Sequence, residues 1–292
     1  MIISASRRTD IPALYGKWFI KRVKEGFVLV ANPFNPSQIT QVSLKAEDID
    51  AFVFWTKNGM PFFDYLKEIK EYSYYFHWTI TPYDRTIEKN VPQKNIIIDS
   101  FKRLSDIISP DKVIWRYDPV FFTQKYDYSK HLFYFEKISK LLSTYTKTCI
   151  YSFLTPYKKC EKNMSSIKFR LPEDPEIESL SKYFSEIASS YNISLSSCAI
   201  KTDLTKYGIK RGSCIDKDLI SKISGKEINA PRDKNQREFC NCAKSIDIGS
   251  YNTCINGCIY CYANSNLFIA EKNYKRHNPD CEILNEIKKP KI

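Results

Sequence analysis

The sequence has only eight glycines and three histidines, and it contains no long apolar run. With so few glycines there is no Walker-type phosphate loop and no G-x-G-x-x-G fingerprint. The histidines form neither an H-x3–5-H pair nor an H-E-x-x-H motif, so two common zinc patterns are missing. No stretch reaches the roughly 20 apolar residues that a membrane-spanning helix needs, and we expect no membrane partner.

The N-terminus also lacks the layout of a secretory signal, because the basic residues Arg7 and Arg8 follow the short apolar stretch instead of preceding it. We therefore expect a cytoplasmic protein. Ten cysteines in a chain of 292 residues do not indicate the disulfide framework of a small secreted domain. Five of the ten fall between Cys240 and Cys261, and such clustering in a cytosolic protein favours a metal.

The net charge is +12 and the isoelectric point is about 9.1. This charge is compatible with a nucleic-acid partner or with another anionic partner. The alternative is a lysine-rich composition with charges spread over solvated faces. The basic residues are spread along the whole chain without a block of five or six, so charge alone does not decide between the two.

Short apolar runs alternate with segments of helical periodicity, which predicts an α/β fold with a parallel sheet. Repeated units of this kind can close into a complete or partial TIM-like (β/α) barrel, and a doubly wound open sheet is the alternative. We expect a barrel-like domain over residues 1–235 and a cysteine-rich segment packed on it over residues 236–292. The predicted strands are Ile2–Ala5, Phe27–Ala31, Phe52–Trp55, Tyr74–Thr81, Val113–Tyr117, Cys149–Leu154 and Ile193–Cys198.

Local residues also predict where the first helix lies. Asp10 can cap it, Pro12 suits its first turn and Gly26 can end it. The segment Asn35–Asp50 breaks the alternation, since it contains an extra strand candidate at Ile39–Leu44 and no full helix.

Polar residues directly after the predicted strands are candidates for function, because catalytic groups of parallel barrels gather at the carboxyl ends of the strands. Each also has a structural explanation: an arginine two residues before an aspartate, for example, can form a pair at the rim of the sheet. The candidates for catalysis or for binding an anionic substrate are Arg7, Arg8, Lys57, Arg116 and Asp118, and the candidates for cofactor binding include Ser152, Asn32 and Asn35.

The residues Cys254, Cys258 and Cys261 form a C-x3-C-x2-C motif. Three thiolates can hold three irons of a [4Fe–4S] cluster and leave the fourth iron open, whereas ordinary electron-transfer clusters use four cysteines. Gly257 lets the loop turn tightly. A structural zinc site using four of the five clustered cysteines and a set of metal-free thiols are the alternatives. If the three cysteines bind a cluster, Cys240 and Cys242 would shield it, ligate a second metal or act as redox thiols.

The spacing, with an aromatic residue before the last cysteine, resembles the radical S-adenosylmethionine superfamily. The resemblance implies that the three cysteines bind a [4Fe–4S] cluster, that S-adenosylmethionine occupies the open iron and that Tyr260 lies beside the adenine. One electron, supplied by a reductase or a flavodoxin- or ferredoxin-type donor, would produce a 5′-deoxyadenosyl radical. In that superfamily the motif follows the first strand, and here it follows the last βα unit, so the resemblance implies a circularly permuted arrangement.

The whole chain is also similar to the domain-of-unknown-function 1848 family, which has a C-terminal cysteine cluster of this kind and no established substrate. The superfamily's Gly-Gly-Glu element is replaced here by Asn32-Pro33-Phe34-Asn35, so either Asn32 or Asn35 would take its place or S-adenosylmethionine would bind differently. Two rival functions remain: a nucleic-acid-binding protein with a structural metal, and an electron carrier whose cluster is completed by Cys240 or Cys242. The segments that carry the family resemblance are Ser4–Asp10, Phe54–Asn58, Trp115–Pro119, Arg237–Cys242, Asp247–Gly249 and Tyr251–Asn264.

Overall fold

The computed structural model describes residues 1–285, and a parallel sheet of eight strands forms its centre. Its strands follow the order β11-β10-β8-β6-β5-β4-β1-β12, and every neighbouring pair in it is parallel. In this part of the chain the strands are β1 (Ile2–Ala5), β2 (Phe27–Ala31), β3 (Ile39–Ser43), β4 (Ala51–Thr56), β5 (Tyr74–Thr79), β6 (Val113–Val120), β7 (Phe122–Thr123), β8 (Thr148–Phe153), β9 (Phe169–Arg170), β10 (Ser194–Ser197), β11 (Lys210–Arg211) and β12 (Ile246–Asp247).

Helices connect the strands, as the alternation in the sequence predicts. No helix within residues 1–285 is both long and apolar enough to cross a bilayer. The α-helices of this part are α1 (Ile11–Leu14), α2 (Gly16–Glu25), α3 (Lys94–Ile108), α4 (Tyr128–Leu142), α5 (Lys158–Asn163), α6 (Asp174–Ser190), α7 (Lys217–Ser224) and α8 (Leu267–Arg276), and short 3₁₀ helices span Ala46–Asp48, Met60–Ile69, Pro110–Lys112 and Thr205–Tyr207.

The central strands are buried on both faces, which explains why they read as continuous apolar runs. One face packs on the helices and carries the larger core, which includes Phe54, Trp78 and Trp115. The other face carries a second core around Val53 and Ile114. Because successive side chains of a strand point to opposite faces, each central strand contributes to both cores.

The strand predicted at Phe27–Ala31 is present, but its predicted place among the repeating units was wrong. β2 pairs antiparallel with β3 in a separate hairpin. Only residues 32–38 connect the two strands, and a parallel crossover needs a dozen residues or more. The extra strand candidate at Ile39–Leu44 is confirmed as β3.

The last strand of the sheet lies beside the first. Ile3 of β1 is in register with Ile246 of β12, although the residues lie near opposite ends of the chain. Within residues 1–285 no strand ladder joins β12 to β11, the strand at the other edge. The C-terminal segment predicted over 236–292 therefore contributes a strand to the sheet, and the domain boundary at residue 235 stays a prediction.

The predicted capping residues are confirmed, but the single helix predicted between them is two, because Tyr15 leaves the helical conformation with a φ of −131° between α1 and α2. Asp10 Oδ1 accepts a hydrogen bond of 3.1 Å from the backbone nitrogen of Ala13 and caps α1. Gly26 ends α2 with a φ of 76°, in the left-handed region that glycine adopts without strain.

Candidate metal centre and its cavity

A cavity of about 1130 Å³ opens at the carboxyl ends of the parallel strands. Arg7 follows β1, Lys57 follows β4 and Ser152 lies near the end of β8, so the sheet brings residues that are far apart in sequence to one edge. The predicted candidates that line this cavity are Arg7, Arg8, Lys57, Arg116, Asp118, Ser152, Tyr260, Cys240, Cys242, Cys254, Cys258 and Cys261.

The loop that carries Cys254, Cys258 and Cys261 is held along one side against residues 87–90. The backbone nitrogen of Ile259 donates to the carbonyl of Ile87 at 3.0 Å, and that of Asn90 donates to the carbonyl of Asn256 at 3.0 Å. The side-chain amide of Asn90 donates to the carbonyl of Ile255 at 2.7 Å. Between these contacts Gly257 turns the chain with a φ of 68°, as predicted for a tight loop.

A second set of contacts holds the loop from the side of β1 and α1. Asp10 Oδ2 accepts a hydrogen bond of 2.9 Å from the amide of Asn256 and one of 2.8 Å from the backbone nitrogen of Lys57. The Tyr15 hydroxyl donates to the carbonyl of Thr253 at 2.7 Å. The three cysteines are therefore carried by a loop with fixed backbone positions.

The three thiols are half-buried and face one cavity, with no hydrogen bond between any two of them in the described part of the chain. Burial raises the pKa of the Cys258 thiol to about 12, while the charge of Lys57 acts in the opposite direction. Within residues 1–285, no group of three or more Cys, His, Asp and Glu side chains is arranged to hold a single metal ion. A [4Fe–4S] cluster binds each cysteine to a different iron, so it does not need three thiols that converge on one ion.

Glu88 is a buried carboxylate that receives four donors beside this loop. Its Oε1 accepts hydrogen bonds from Lys57 Nζ at 2.8 Å, from Thr81 at 2.7 Å and from the Tyr260 hydroxyl, and its Oε2 accepts one from Lys94. Burial alone would raise the pKa of Glu88, but the charges of Lys57 and Lys94 lower it to about 2. Glu88 thus stays ionised and fixes both Lys57 and Tyr260 at the cavity wall.

Arg116 and Asp118 form the predicted pair, but they lie inside β6, because this strand continues to Val120 and Arg116 is level with the last residue of β5. The Arg116 guanidinium donates to the Asp118 carboxylate, and the Ser152 hydroxyl donates to the other oxygen of that carboxylate. Burial works to raise the pKa of Asp118, and the Arg116 charge brings it below its usual range. Both residues line the cavity, so the pair supports the wall and also presents polar atoms to a ligand.

Arg7 and Arg8 both interact with the carboxylate of Asp247 in β12. The Asp247 carboxylate accepts hydrogen bonds from the backbone nitrogen of Arg7 at 2.8 Å and from the Ser4 hydroxyl at 2.8 Å. The guanidinium nitrogens Nε of Arg7 and Arg8 lie 3.9 and 4.0 Å from it. These arginines therefore tie β1 to β12 as well as bordering the cavity.

The structure does not bring Asn32 and Asn35 to the cavity wall. Both lie in the loop of the β2–β3 hairpin, where the amide of Asn32 donates to Gln38 at 2.8 Å. Their neighbours Pro33 and Phe34 do line the cavity, and the Phe34 side chain is 95% exposed. The expected binding role of the two asparagines depended on a second sheet strand, and that strand is in the hairpin instead.

Cys240 and Cys242 lie with two other cysteines and not on the three-cysteine loop. Cys242 Sγ accepts a hydrogen bond of 3.2 Å from the backbone nitrogen of Cys214. Cys214 Sγ in turn lies 3.5 Å from Cys198 Sγ. Cys198 and Cys214 lie outside the sequence cluster of five cysteines, and their spacing matches no metal motif, so the sequence does not predict this contact.

The sequence also gives no functional role to Glu88, Lys94 or Asp247, although Asp247 belongs to a segment that carries the family resemblance. Glu88 and Lys94 follow β5 by several residues, outside the positions directly after a strand end. Asp247 lies in a strand of only two residues, too short to produce an apolar run. A buried carboxylate that collects several donors is visible only once the chain is folded.

Comparisons with known proteins give a family and little else. A family model described as "Domain of unknown function (DUF1848)" matches residues 2–263. No curated protein matches the chain. Among solved structures, one described as a "putative alpha-L-fucosidase" from Bacteroides thetaiotaomicron VPI-5482 is 10% identical and covers 80% of this chain and 82% of its own, with a TM-score of 0.28. A similarity this weak supports no conclusion about fold or activity.

Proposed function

The chain belongs to the domain-of-unknown-function family DUF1848, and we propose that it is an iron–sulfur enzyme that uses S-adenosylmethionine for radical chemistry. The observation that carries this proposal is the position of Cys254, Cys258 and Cys261. All three thiols face the cavity at the carboxyl edge of the sheet, where enzymes of parallel barrels carry out their chemistry. Three thiolates leave one iron of a [4Fe–4S] cluster without a protein ligand.

We also propose that the sheet curves into a partial (β/α) barrel around this cavity. Apart from β12, the strands follow one another across the sheet in chain order, without the reversal of direction that a doubly wound sheet needs. The backbone nitrogen of Ala243 donates to the carbonyl of Ile215 at 3.0 Å and joins the segment before β12 to the segment after β11. In such a barrel the C-terminal cysteine loop reaches the position that a loop after the first strand would occupy, which is the permuted arrangement.

The residues around the loop suit this role. When bound, the cluster supplies the electron that cleaves S-adenosylmethionine reductively. Lys57 and Tyr260 are held by Glu88 at the cavity wall, and Lys57 Nζ lies 5.5 Å from the centre of the Tyr260 ring. An ammonium group near the thiolates offsets part of their negative charge. Tyr260 offers an aromatic surface to an adenine, and the Ser152 hydroxyl adds a polar contact across the cavity.

The charge of the cavity indicates an anionic substrate. Seven basic residues line it against four acidic ones, Asp10, Asp118, Asp233 and Asp247. The acidic side chains of Asp10, Asp118 and Asp247 are engaged by protein donors. Lys57 and Arg116 are paired in turn with Glu88 and Asp118, so the excess positive charge comes mainly from Lys158, Lys159 and Arg237. Excess guanidinium and ammonium groups bind carboxylate or phosphate groups well. The basic lining residues are Arg7, Arg8, Lys57, Arg116, Lys158, Lys159 and Arg237.

The test is anaerobic reconstitution of the full chain with iron and sulfide. We expect about four irons per chain, an EPR signal of the reduced protein that changes when S-adenosylmethionine is added, and formation of 5′-deoxyadenosine. Cys254→Ala, Cys258→Ala and Cys261→Ala should each lose most of the iron. Cys149→Ala, which removes a buried thiol of β8, should keep it. Failure of the natural sequence to take up a cluster, or full iron content in the triple variant, would contradict the proposal.

The same experiment separates the two rival functions. An electron carrier predicts that S-adenosylmethionine leaves the EPR signal unchanged and that Cys242→Ala abolishes the cluster. The contacts of Cys242 with Cys214 do not favour this rival. A nucleic-acid-binding protein predicts a steep fall of affinity for DNA or RNA with salt and no cleavage of S-adenosylmethionine.

A further inference from the structure

Four cysteines from three separate segments meet on one side of the cavity, apart from the three-cysteine loop. Cys198 follows β10, Cys214 follows β11, and Cys240 and Cys242 precede β12. All four are at most 5% exposed and belong to the second core. Random placement of thiols does not explain this convergence, because the first and last of them are 44 residues apart in sequence.

The four sulfurs form a continuous set of neighbours. Cys198 Sγ lies 3.5 Å from Cys214 Sγ. Cys242 Sγ accepts a hydrogen bond of 3.2 Å from the backbone nitrogen of Cys214, and the Cys242 thiol is near enough to the thiols of Cys214 and Cys240 for each to shift the pKa of its neighbour. Four thiolates bound to one zinc ion at about 2.3 Å in a tetrahedron lie about 3.8 Å apart, close to the separation of Cys198 and Cys214.

The groups around these sulfurs are donors, as thiolates require. Arg116 Nη1 donates to Cys214 Sγ at 2.8 Å, and Arg237 Nη2 donates to Cys198 Sγ at 3.5 Å. The backbone nitrogens of Cys214 and Ile215 point at Cys242 Sγ from 3.2 and 3.5 Å. A neutral thiol is a weak acceptor, so two guanidinium groups and two amides are better matched to negatively charged sulfur.

We propose that Cys198, Cys214, Cys240 and Cys242 form a second metal site, a tetrathiolate that binds one zinc ion. Zinc binding releases the thiol protons to solvent and leaves the site with a formal charge of −2, which Arg116 and Arg237 offset. With the side chains as they stand in residues 1–285, no three ligands converge on one ion, so the four thiols close around it by rotating about their single side-chain torsions. Zinc suits the site better than a four-iron cluster, because cluster thiolates bind different irons and lie farther apart than Cys198 and Cys214.

The position of the proposed zinc site indicates a structural role. Its ligands come from both edges of the sheet, from the segments after β10 and β11 and from the segment before β12. The ion would therefore link the chain segments next to β11 and β12, the two edge strands, which no strand ladder joins within residues 1–285. It would also fix Arg116 and Arg237, which line the cavity. The site does not depend on the proposed cluster, because no residue belongs to both ligand sets.

The experiment measures metal in a chain that cannot hold the cluster. The Cys254→Ser/Cys258→Ser/Cys261→Ser variant is purified without chelators, and zinc is measured by elemental mass spectrometry. We expect one zinc per chain and its release by a mercurial that titrates thiols. Adding Cys214→Ser/Cys242→Ser should reduce zinc to the background of a metal-free protein. The matched control, Cys149→Ala/Cys281→Ala in the same triple variant, should keep one zinc.

A second measurement covers the case in which the Cys214→Ser/Cys242→Ser variant does not fold. Cobalt is added to the metal-depleted triple variant, and four thiolate ligands should give the intense visible bands of tetrahedral cobalt with strong thiolate charge transfer. Absence of these bands in the folded triple variant would overturn the proposal. A Cys198–Cys214 disulfide found by mass spectrometry in protein that contains no zinc would overturn it as well.

Discussion

Asp10 accepts a hydrogen bond of 2.9 Å from the side-chain amide of Asn256, although the two residues are 246 positions apart. The same carboxylate caps α1 and accepts the backbone nitrogen of Lys57. One buried side chain thus joins the first helix, the end of β4 and the loop of the three cysteines. A residue that sequence analysis interprets as a helix cap is also a support of the candidate metal centre.

Asp10→Ala should therefore lower the free energy of unfolding by more than the loss of a helix cap does. We expect it to lower the free energy of unfolding by about 2–4 kcal/mol, since a cap and two further hydrogen bonds are lost, and to reduce the iron content after reconstitution. Asp127→Ala is the matched control, because Asp127 caps α4 through the backbone nitrogen of Lys130 and touches no part of the loop. The free energy of unfolding of that variant should fall by about 1 kcal/mol, and its iron content should not change. Equal iron content in both variants would contradict the supporting role of Asp10.

Tyr15→Phe should loosen the loop from the other side. The Tyr15 hydroxyl donates to the carbonyl of Thr253, the residue before Cys254, and the variant leaves that carbonyl without its donor. We expect a loss of about 1 kcal/mol in stability and faster loss of iron to a chelator. Tyr72→Phe removes a similar bond, of 2.9 Å to the carbonyl of Leu44, far from the loop. It should cost a similar amount of stability without changing the rate of iron loss, so equal rates would count against the prediction.

Glu88→Gln should change the pH dependence of stability. The pKa of Glu88 lies at about 2 in the folded chain instead of 4.5, so its ionised form contributes stability that is fully present above about pH 4.5 and is lost as the pH falls towards 2. We expect the variant to be less stable by roughly 2–3 kcal/mol at pH 7 and to lose less stability between pH 5 and 3. Urea unfolding at a series of pH values measures both.

Glu176→Gln is the control for this prediction. The pKa of Glu176 is also about 2 because of its hydrogen bonds with Arg170, but that ion pair is open to solvent. Water screens such a pair, and glutamine still completes the capping box of α6, so the change should cost less than about 1 kcal/mol. An equal decrease in the free energy of unfolding in Glu88→Gln and Glu176→Gln would show that burial around Glu88 does not strengthen its ion pairs.

Gly249→Ala should disturb the junction of β1 and β12. A methyl group at this position would lie 2.0 Å from Ser6 Oγ and 2.5 Å from Ser6 Cβ. Ser6 cannot move freely, because its hydroxyl is bonded to Asp247 at 2.5 Å. We expect the free energy of unfolding to fall by about 1–3 kcal/mol, measured by thermal unfolding. Ser6→Gly removes both clashing atoms, so Gly249→Ala should cost less stability in a Ser6→Gly chain than in the natural sequence, and an equal cost in both would contradict the steric explanation.

Much of the architecture could be predicted from the sequence, because buried parallel strands are continuous apolar runs. The bounds of β1 match the prediction, and those of β4, β6 and β8 differ from it by a few residues. The hairpin of β2 and β3 was misplaced, since an apolar run does not show which partner a strand takes. β11 and β12 were not predicted, because strands of two residues leave no periodic pattern.

The candidate site could be predicted only where its residues are local in sequence. The spacing of the three cysteines is contained in eight consecutive residues, Lys57 directly follows β4, and Arg116 lies close to the end of the strand predicted at Val113–Tyr117. Glu88 and the contacts of Cys198 with Cys214 depend on how separate units pack. No sequence pattern encodes such packing, so these residues came only from the structure.

The pairing of β1 with β12 sets a limit on the timing of assembly. During synthesis β1 is made before β12. The hydrogen bond from the Ser4 hydroxyl to Asp247 can form only after 243 further residues have been added. The hydrogen bonds of Asp10 with Asn256 and of Tyr15 with Thr253 likewise form only after the three-cysteine loop has been synthesised. A chain that stops before residue 254 therefore lacks all three thiols of the loop, and we expect it to take up no iron at this site. The long separation in sequence thus makes the closing of the β1–β12 edge and the completion of the proposed cluster site two late events that depend on the same segment of the chain.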